Sequence, residues 1–209
     1  LLAHADCTGT PFERLEVAGP GFLNFFLNHN YFAATVRAAL QQGDAWGRTT
    51  FGEGKRVNVE FVSANPTGPM HLGNARGGAL GDCLAAALDW AGYDVTREFY
   101  INDAGNQIEK FGDSLSARYL QLFLGEDAVP FPEKGYQGED IKQRAAEFAD
   151  KFGDSFVKKD EAERKQALID FALPLNIAAM KAAMEKYRIH YDVWFCESQL
   201  HSSGAVQEV

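Results

Sequence analysis

The segment Arg56-Val57-Asn58-Val59-Glu60-Phe61-Val62-Ser63-Ala64-Asn65-Pro66-Thr67-Gly68-Pro69-Met70-His71-Leu72-Gly73-Asn74 changes character twice within a short span. Val57, Val59 and Phe61 alternate with Asn58 and Glu60, which predicts a strand over Arg56 to Val62. Ser63 to Met70, rich in proline and glycine, predicts a loop. Beyond it Leu80, Leu84, Leu88 and Ala91 recur at helical spacing, and Gly92 stands where a left-handed C-terminal cap belongs. Asp94 to Ile101 is again β-prone. Strand, helix and strand make a βαβ unit, whose crossover is right-handed and whose ligands bind at the C-terminal ends of the strands. A loop without bulky side chains running into a helix N-terminus offers free N–H groups to an anion, and Gly73, Gly77, Gly78 and Gly81 let a ligand or the sheet approach closely. Phosphate is the anion expected.

Upstream, the β-prone runs Phe12 to Ala18 and Phe22 to Asn28 flank Gly19-Pro20-Gly21, which predicts a hairpin. Tyr31 to Gln42 has helical spacing and stops at Gly43, and Gly43 to Gly54 reads as a linker. Downstream, helical spacing returns over Asn106 to Leu124. After a loop from Gly125 to Gly138 it resumes over Glu139 to Phe152 and Ser155 to Tyr187, the last stretch interrupted at Pro174. Tyr191 to Phe195 reads as a third strand.

Composition narrows the function classes. The 209 residues are 46% hydrophobic, with a formal net charge of -9 and a pI near 5.0, enough for one or two domains with a sizeable core. So acidic a chain does not attract nucleic acid over its whole surface, and any RNA contact must be local. No apolar run approaches the ~20 residues of a membrane span, so no membrane role is expected. Cys7, Cys83 and Cys196 form no Cys-x-x-Cys pair and no zinc-ligand pattern, which fits reduced thiols in the cytoplasm and no structural metal. Leu1 at the start, and an unfinished amphipathic pattern from Ser202 to Val209, suggest a piece of a longer protein.

Two phosphate-binding motifs are missing: no Gly-x-Gly-x-x-Gly follows the strand, and no Gly-Lys-Ser/Thr ends the loop. His71-Leu72-Gly73-Asn74 instead resembles the His-Ile-Gly-His signature of class I aminoacyl-tRNA synthetases and related nucleotidyltransferases. The flanks sharpen the likeness. Val59 to Pro69, Ala91-Gly92-Tyr93-Asp94-Val95 and Tyr100-Ile101-Asn102-Asp103-Ala104-Gly105-Asn106-Gln107-Ile108 resemble the arginyl-tRNA synthetase family in order and spacing. So do Val17-Ala18-Gly19-Pro20-Gly21-Phe22 and Asp192-Val193-Trp194-Phe195.

That resemblance implies an α/β fold: the first half of a Rossmann-like parallel sheet with a helical insertion over about residues 106–188, preceded by part of a small α+β domain. Residues 1–50 would be the end of an appended tRNA-contacting domain, and residues 51–209 the N-terminal part of the catalytic domain. It implies a ligase that uses ATP with Mg2+ as substrate complex, activates arginine and transfers it to tRNA(Arg). The parent enzyme is expected to be a monomer and this piece inactive alone.

By position, His71 and Asn74 would act in catalysis and, with Gly73, bind ATP. Glu60, Ser63 and Asn65 would hold arginine, Glu60 facing the guanidinium. Ala64, Pro66, Thr67, Gly68, Pro69, Met70 and Leu72 complete the signature. Asn74 replaces the signature's second histidine, yet its amide still carries an N–H donor. A guanidinium independently asks for a carboxylate. Asn102, Asp103, Asn106 and Gln107 would form the pocket rim. Blander readings stand beside these: His71 as a helix cap, Glu60 as a solvated strand residue, Asn102-Asp103 as an N-cap, Lys158 to Lys165 as a solvated helix face, and Phe25, Phe26 and Trp194 as core. Two rival functions also stand: another nucleotidyltransferase with the same signature, or a non-catalytic domain that binds RNA or a partner protein.

Overall fold

The computed structural model describes residues 2–207, so Leu1 and the end of the amphipathic pattern at Glu208 and Val209 lie outside the described residues. The chain divides into two compact units, Leu1–Thr49 and Thr50–Val209.

In the first unit, β1 (Phe12–Ala18) and β2 (Phe22–Leu27) pair antiparallel, with Gly19 and Gly21 at positive φ in the turn. Helix α1 (His29–Gln42) starts where Asn28 Oδ1 accepts from the Tyr31 N–H and stops at Gly43, φ 55°. No described residue of α1 is buried. Phe25, expected in a core, is 53% exposed, because this unit has no layer over that face of the hairpin among its described residues.

In the second unit, β3 (Arg56–Glu60), β4 (Asp94–Ile101) and β5 (Val193–Cys196) form a parallel sheet in the order β3-β4-β5. Helix α2 (Leu72–Trp90) connects β3 to β4. The connection from β4 to β5 is the helical insert: α3 (Asn106–Leu124), α4 (Glu139–Phe152) and α5 (Glu161–Lys186). A short helix, α6 (Ser198–Ser203), follows β5. Alternation along the strands puts Val59, Phe61, Phe99 and Ile101 into the core with Met180, Met184 and Ile189.

The structure differs from the sequence reading in several details. The face of α2 against the sheet carries Gly78, Gly81 and Ala85, while Leu80 and Leu84 are 73% and 52% exposed. A methyl group on Gly81 would collide with the Phe61 ring, and one on Gly78 would lie 2.8 Å from Ile189, so small residues mark the buried face. Strand β3 ends at Glu60 because Val62 and Ser63 turn to φ 68° and 42°, which a pleated strand cannot accommodate.

Helix α5 starts only at Glu161, capped by the Asp160 side chain, and passes through Pro174 unbroken. Pro174 is exposed, so water can solvate the carbonyl its missing N–H leaves free. By length and hydropathy α5 could also cross a membrane, which the count of consecutive apolar residues missed. In the fold Leu168 and Ala172 pack into the core shared with α3 and α4, and Met180 and Met184 pack under the sheet. Lys158 to Glu163 are exposed as expected, but Arg164 is buried, donating to Ser116 Oγ and the Lys159 carbonyl.

Candidate active site

The loop between β3 and α2 forms one wall of a cavity of about 570 Å3. Of the residues expected to act there, Ser63, Asn65, His71 and Asn74 all line it, with Ala64 and Thr67 to Met70. Pro66 and Thr67 anchor the loop by burial. Gly73 sits in the first turn of α2, where a methyl group would meet the His71 ring at 3.0 Å. Leu72 is 87% exposed.

His71 is the N-cap of α2, so the capping reading and the catalytic one now concern a single geometry. Its Nδ1 accepts from the Gly73 N–H at 3.1 Å, and its own N–H donates to Asn74 Oδ1 at 3.0 Å. These reciprocal bonds satisfy donors that a helix start leaves orphaned. They also fix what each side chain has left. An accepting Nδ1 carries no proton, so the neutral ring holds it on Nε2, and an amide whose oxygen is occupied keeps its two N–H donors. Two donors of different reach thus stand beside the N-terminus of a long helix, whose dipole favours negative charge.

Glu60 does not line this cavity. It is exposed at the end of β3, near the phenol of Tyr100. Burial first, then the charge and hydrogen bond of Glu197 and the charges of Asp103 and Glu60, hold the Tyr100 hydroxyl above its ordinary range. The C-terminal ends of the three strands therefore each bring a carboxylate toward one phenol. Ser63 joins the two places: its Oγ accepts from the Tyr100 N–H at 3.2 Å.

Of the residues expected at the rim, Asn102, Asp103 and Gln107 take different partners. Asp103 caps nothing at α3, whose N-cap is Gly105; it accepts from the Ser198 N–H and Oγ at 2.8 and 2.6 Å, fixing the start of α6. It also hydrogen-bonds the Cys196 thiol, which burial chiefly pushes up. Asn102, its amide oriented for hydrogen bonding, reaches Glu197. Gln107 accepts from the Tyr136 hydroxyl.

Tyr136, Gln137, Gly138 and Asp140 form the cavity's other wall, supplied by the insert. The sequence reading passed over them as loop and helix start. The available signal was Gly135-Tyr136-Gln137-Gly138, an aromatic between two glycines. Among the described residues no group of three or more His, Cys, Asp or Glu could hold a metal ion.

Residues 35–122 match the family model described as tRNA synthetases class I (R), catalytic domain, a match that opens within α1. Curated relatives agree in kind. The arginine–tRNA ligase of Ruminiclostridium cellulolyticum is 58% identical over 96% of this chain, and that of Caldanaerobacter subterraneus is 59% identical over 100% of this chain. The chain spans 36% and 37% of those two proteins. Among solved structures, a Campylobacter jejuni protein named as an arginyl-tRNA synthetase superposes with a TM-score of 0.75 at 32% identity, over 87% of this chain and 40% of that one. Thermus thermophilus arginyl-tRNA synthetase gives 0.57 at 26% identity, over 95% and 32%. With a cavity built on the His71–Asn74 cap and a three-stranded parallel sheet, the chain is similar, over nearly all of its own length, to a stretch of about 36–37% of class I arginyl-tRNA synthetases.

Proposed function

We propose that the chain carries the arginine- and ATP-binding part of an arginine–tRNA ligase, residues 51–209 as the first part of its catalytic domain and residues 1–50 as the end of an appended tRNA-contacting domain. The observation that carries this is the reciprocal cap of His71 and Asn74, which leaves the Nε2–H and an amide N–H free beside the cavity. An oxygen of the arginine carboxylate attacks the α-phosphorus of ATP. The bond from that phosphorus to the bridging oxygen breaks, and pyrophosphate leaves. The two donors and the α2 dipole stabilise charge on the α-phosphate as it develops, where donors accelerate a reaction. A hydroxyl of the terminal tRNA ribose then takes the arginyl group and releases AMP.

In this reading arginine spans two places, with its carboxylate near His71 and Asn74 and its guanidinium toward Glu60, which Asp103 and Glu197 reinforce. Ser63 and Asn65 stand between, for the amino acid. Mg2+ arrives with ATP as part of the substrate. The free cysteines fit a cytoplasmic enzyme, and a monomer is expected, which sedimentation of the full-length protein would check.

The test is arginine-dependent exchange of labelled pyrophosphate into ATP by the full-length enzyme carrying this sequence, with tRNA(Arg) present. Arginine should support exchange, whereas lysine and the uncharged isostere citrulline should not. Exchange that ignores the amino acid, or no exchange at all, would overturn the reading.

A further inference from the structure

The loop that precedes His71 stands between two cavities. In front lies the one described above; behind lies a space of about 320 Å3, walled by the same Gly68, Pro69 and Met70 and on its far side by Arg144 and Asn176 of the insert. At Gly68 and Pro69 this space leaves the loop room to move backward, although Pro66 and Thr67 are buried.

One polar tie crosses the gap. Asn176 Nδ2 donates to the Pro66 carbonyl at 2.9 Å, and both residues are buried. Asn176 Oδ1 accepts from Arg144 Nε at 2.9 Å, and Arg144 Nη1 donates to Glu147 Oε2 at 2.5 Å. A guanidinium only donates, so Arg144 forces the amide oxygen toward itself and the amide NH2 toward Pro66. Glu147 fixes Arg144 in turn, and hydrogen bonding to Arg144, followed by Gln143, holds its carboxyl below the ordinary range. The chain of contacts runs from α4 through α5 to the backbone just ahead of His71.

We propose that Asn176 is a positioning residue for this active site, holding the Pro66–His71 loop against the insert in an orientation that Arg144 dictates. A bond between elements this far apart in sequence makes the insert part of the catalytic apparatus, since α4 and α5 set where the donors of His71 and Asn74 stand. The consequence for turnover rests on the function proposed above; the effect on the loop does not.

Asn176→Asp separates positioning from general stability. Its carboxylate still accepts from Arg144, now as an ion pair, so the α4–α5 contact is retained. Toward Pro66 it presents an oxygen to a carbonyl oxygen, and the tie is lost. Hydrogen exchange of the full-length protein should show faster exchange at the amides of residues 64–71, with α4 and α5 still protected. Misplacement of this kind can cost on the order of 100-fold in rate, so arginine-dependent exchange should fall roughly 10- to 100-fold in kcat with a smaller change in the KM for ATP. A second variant, Arg144→Met, should loosen the same amides and slow turnover less. Added to Asn176→Ala it should slow turnover no further, because Arg144 acts through Asn176.

Unchanged protection of residues 64–71 in both Asn176→Asp and Arg144→Met would overturn the proposal. So would a fully additive effect of Arg144→Met and Asn176→Ala. Loosened amides in a protein that shows no arginine-dependent exchange to begin with would uphold the positioning role and refute the function.

Discussion

Phe148 and His71 represent two ways of holding a side chain. Phe148 has no exposed surface and packs among Tyr119, Phe152, Phe156 and Phe171, with ring centroids 4.6 to 5.5 Å away. Its place is set by close packing, which any loss of volume disturbs. His71 is exposed and held by two hydrogen bonds at a helix end. Close packing therefore holds the insert and hydrogen bonds hold the loop, and if the loop carries the proposed chemistry, substitutions should separate stability from turnover.

The largest effect is expected from Phe148→Ala, which should destabilise this chain by about 3 to 5 kcal/mol, the usual cost of removing a buried aromatic. Urea denaturation measures it. A loss below about 1 kcal/mol, the level of an ordinary substitution, would show that the insert is not the stable core.

His71→Asn sharpens the other side. Asparagine is a good N-cap, so the melting temperature should stay near that of the parent. The Nε2–H donor disappears, and turnover of the full-length enzyme should drop roughly 100- to 1,000-fold, as for removal of other transition-state donors. Near-normal turnover would leave His71 a cap alone.

A smaller effect is expected at Glu60. Glu60→Gln should lower kcat/KM for arginine about 10- to 30-fold, less than the loss of an isolated buried ion pair because Asp103 and Glu197 remain. An ATP titration at saturating arginine should not move. If both titrations shift together, Glu60 supports the scaffold and the guanidinium site lies elsewhere.

The smallest effect is a loss of stability in alkali. Burial, and to a lesser degree the charge of Asp82, pushes the Tyr191 phenol well above its ordinary value of 10.0; its hydroxyl donates to the Phe61 carbonyl at 3.1 Å. Tyr100 shifts the same way. Below pH 10 the phenol is protonated in both folded and unfolded chains and pH changes nothing. Above it the unfolded phenol ionises first, so stability falls steadily until the folded value is passed. Melting temperature should decline by a few degrees from pH 9 to pH 11. Absorbance near 295 nm should show a late-ionising fraction that Tyr191→Phe reduces. Simultaneous ionisation of all tyrosines in the folded protein would contradict the buried phenol.

Local signals carried much of the fold. Gly19 and Gly21 announced the hairpin, Gly43 and Gly92 the ends of α1 and α2, and the β-prone run Asp94–Ile101 a strand whose bounds match those found. Such features depend on backbone freedom and on period, which neighbouring residues alone determine. The loop from Ser63 to Met70 was likewise legible, because Pro66, Gly68 and Pro69 interrupt both strand and helix.

Tertiary structure decided the rest. Which face of α2 is buried depended on how closely Phe61 and Ile189 approach, and so favoured glycine over the more conspicuous leucines. Pro174 did not break α5, where it lies exposed to solvent. Glu60 and His71, on either side of the same loop, face different neighbours because Val62 and Ser63 turn the backbone between them. Of the residues brought up from afar, Asp140, Asn176 and Glu197 were invisible to any local pattern, and Tyr136 was marked only by the glycines around it. The chain returns to the sheet only after α5, and a contact across so long a loop leaves no periodicity in the sequence between its ends. Residue order along Arg56–Asn74 dictated which groups the loop could offer, and the packing of the insert behind it determined where they stand.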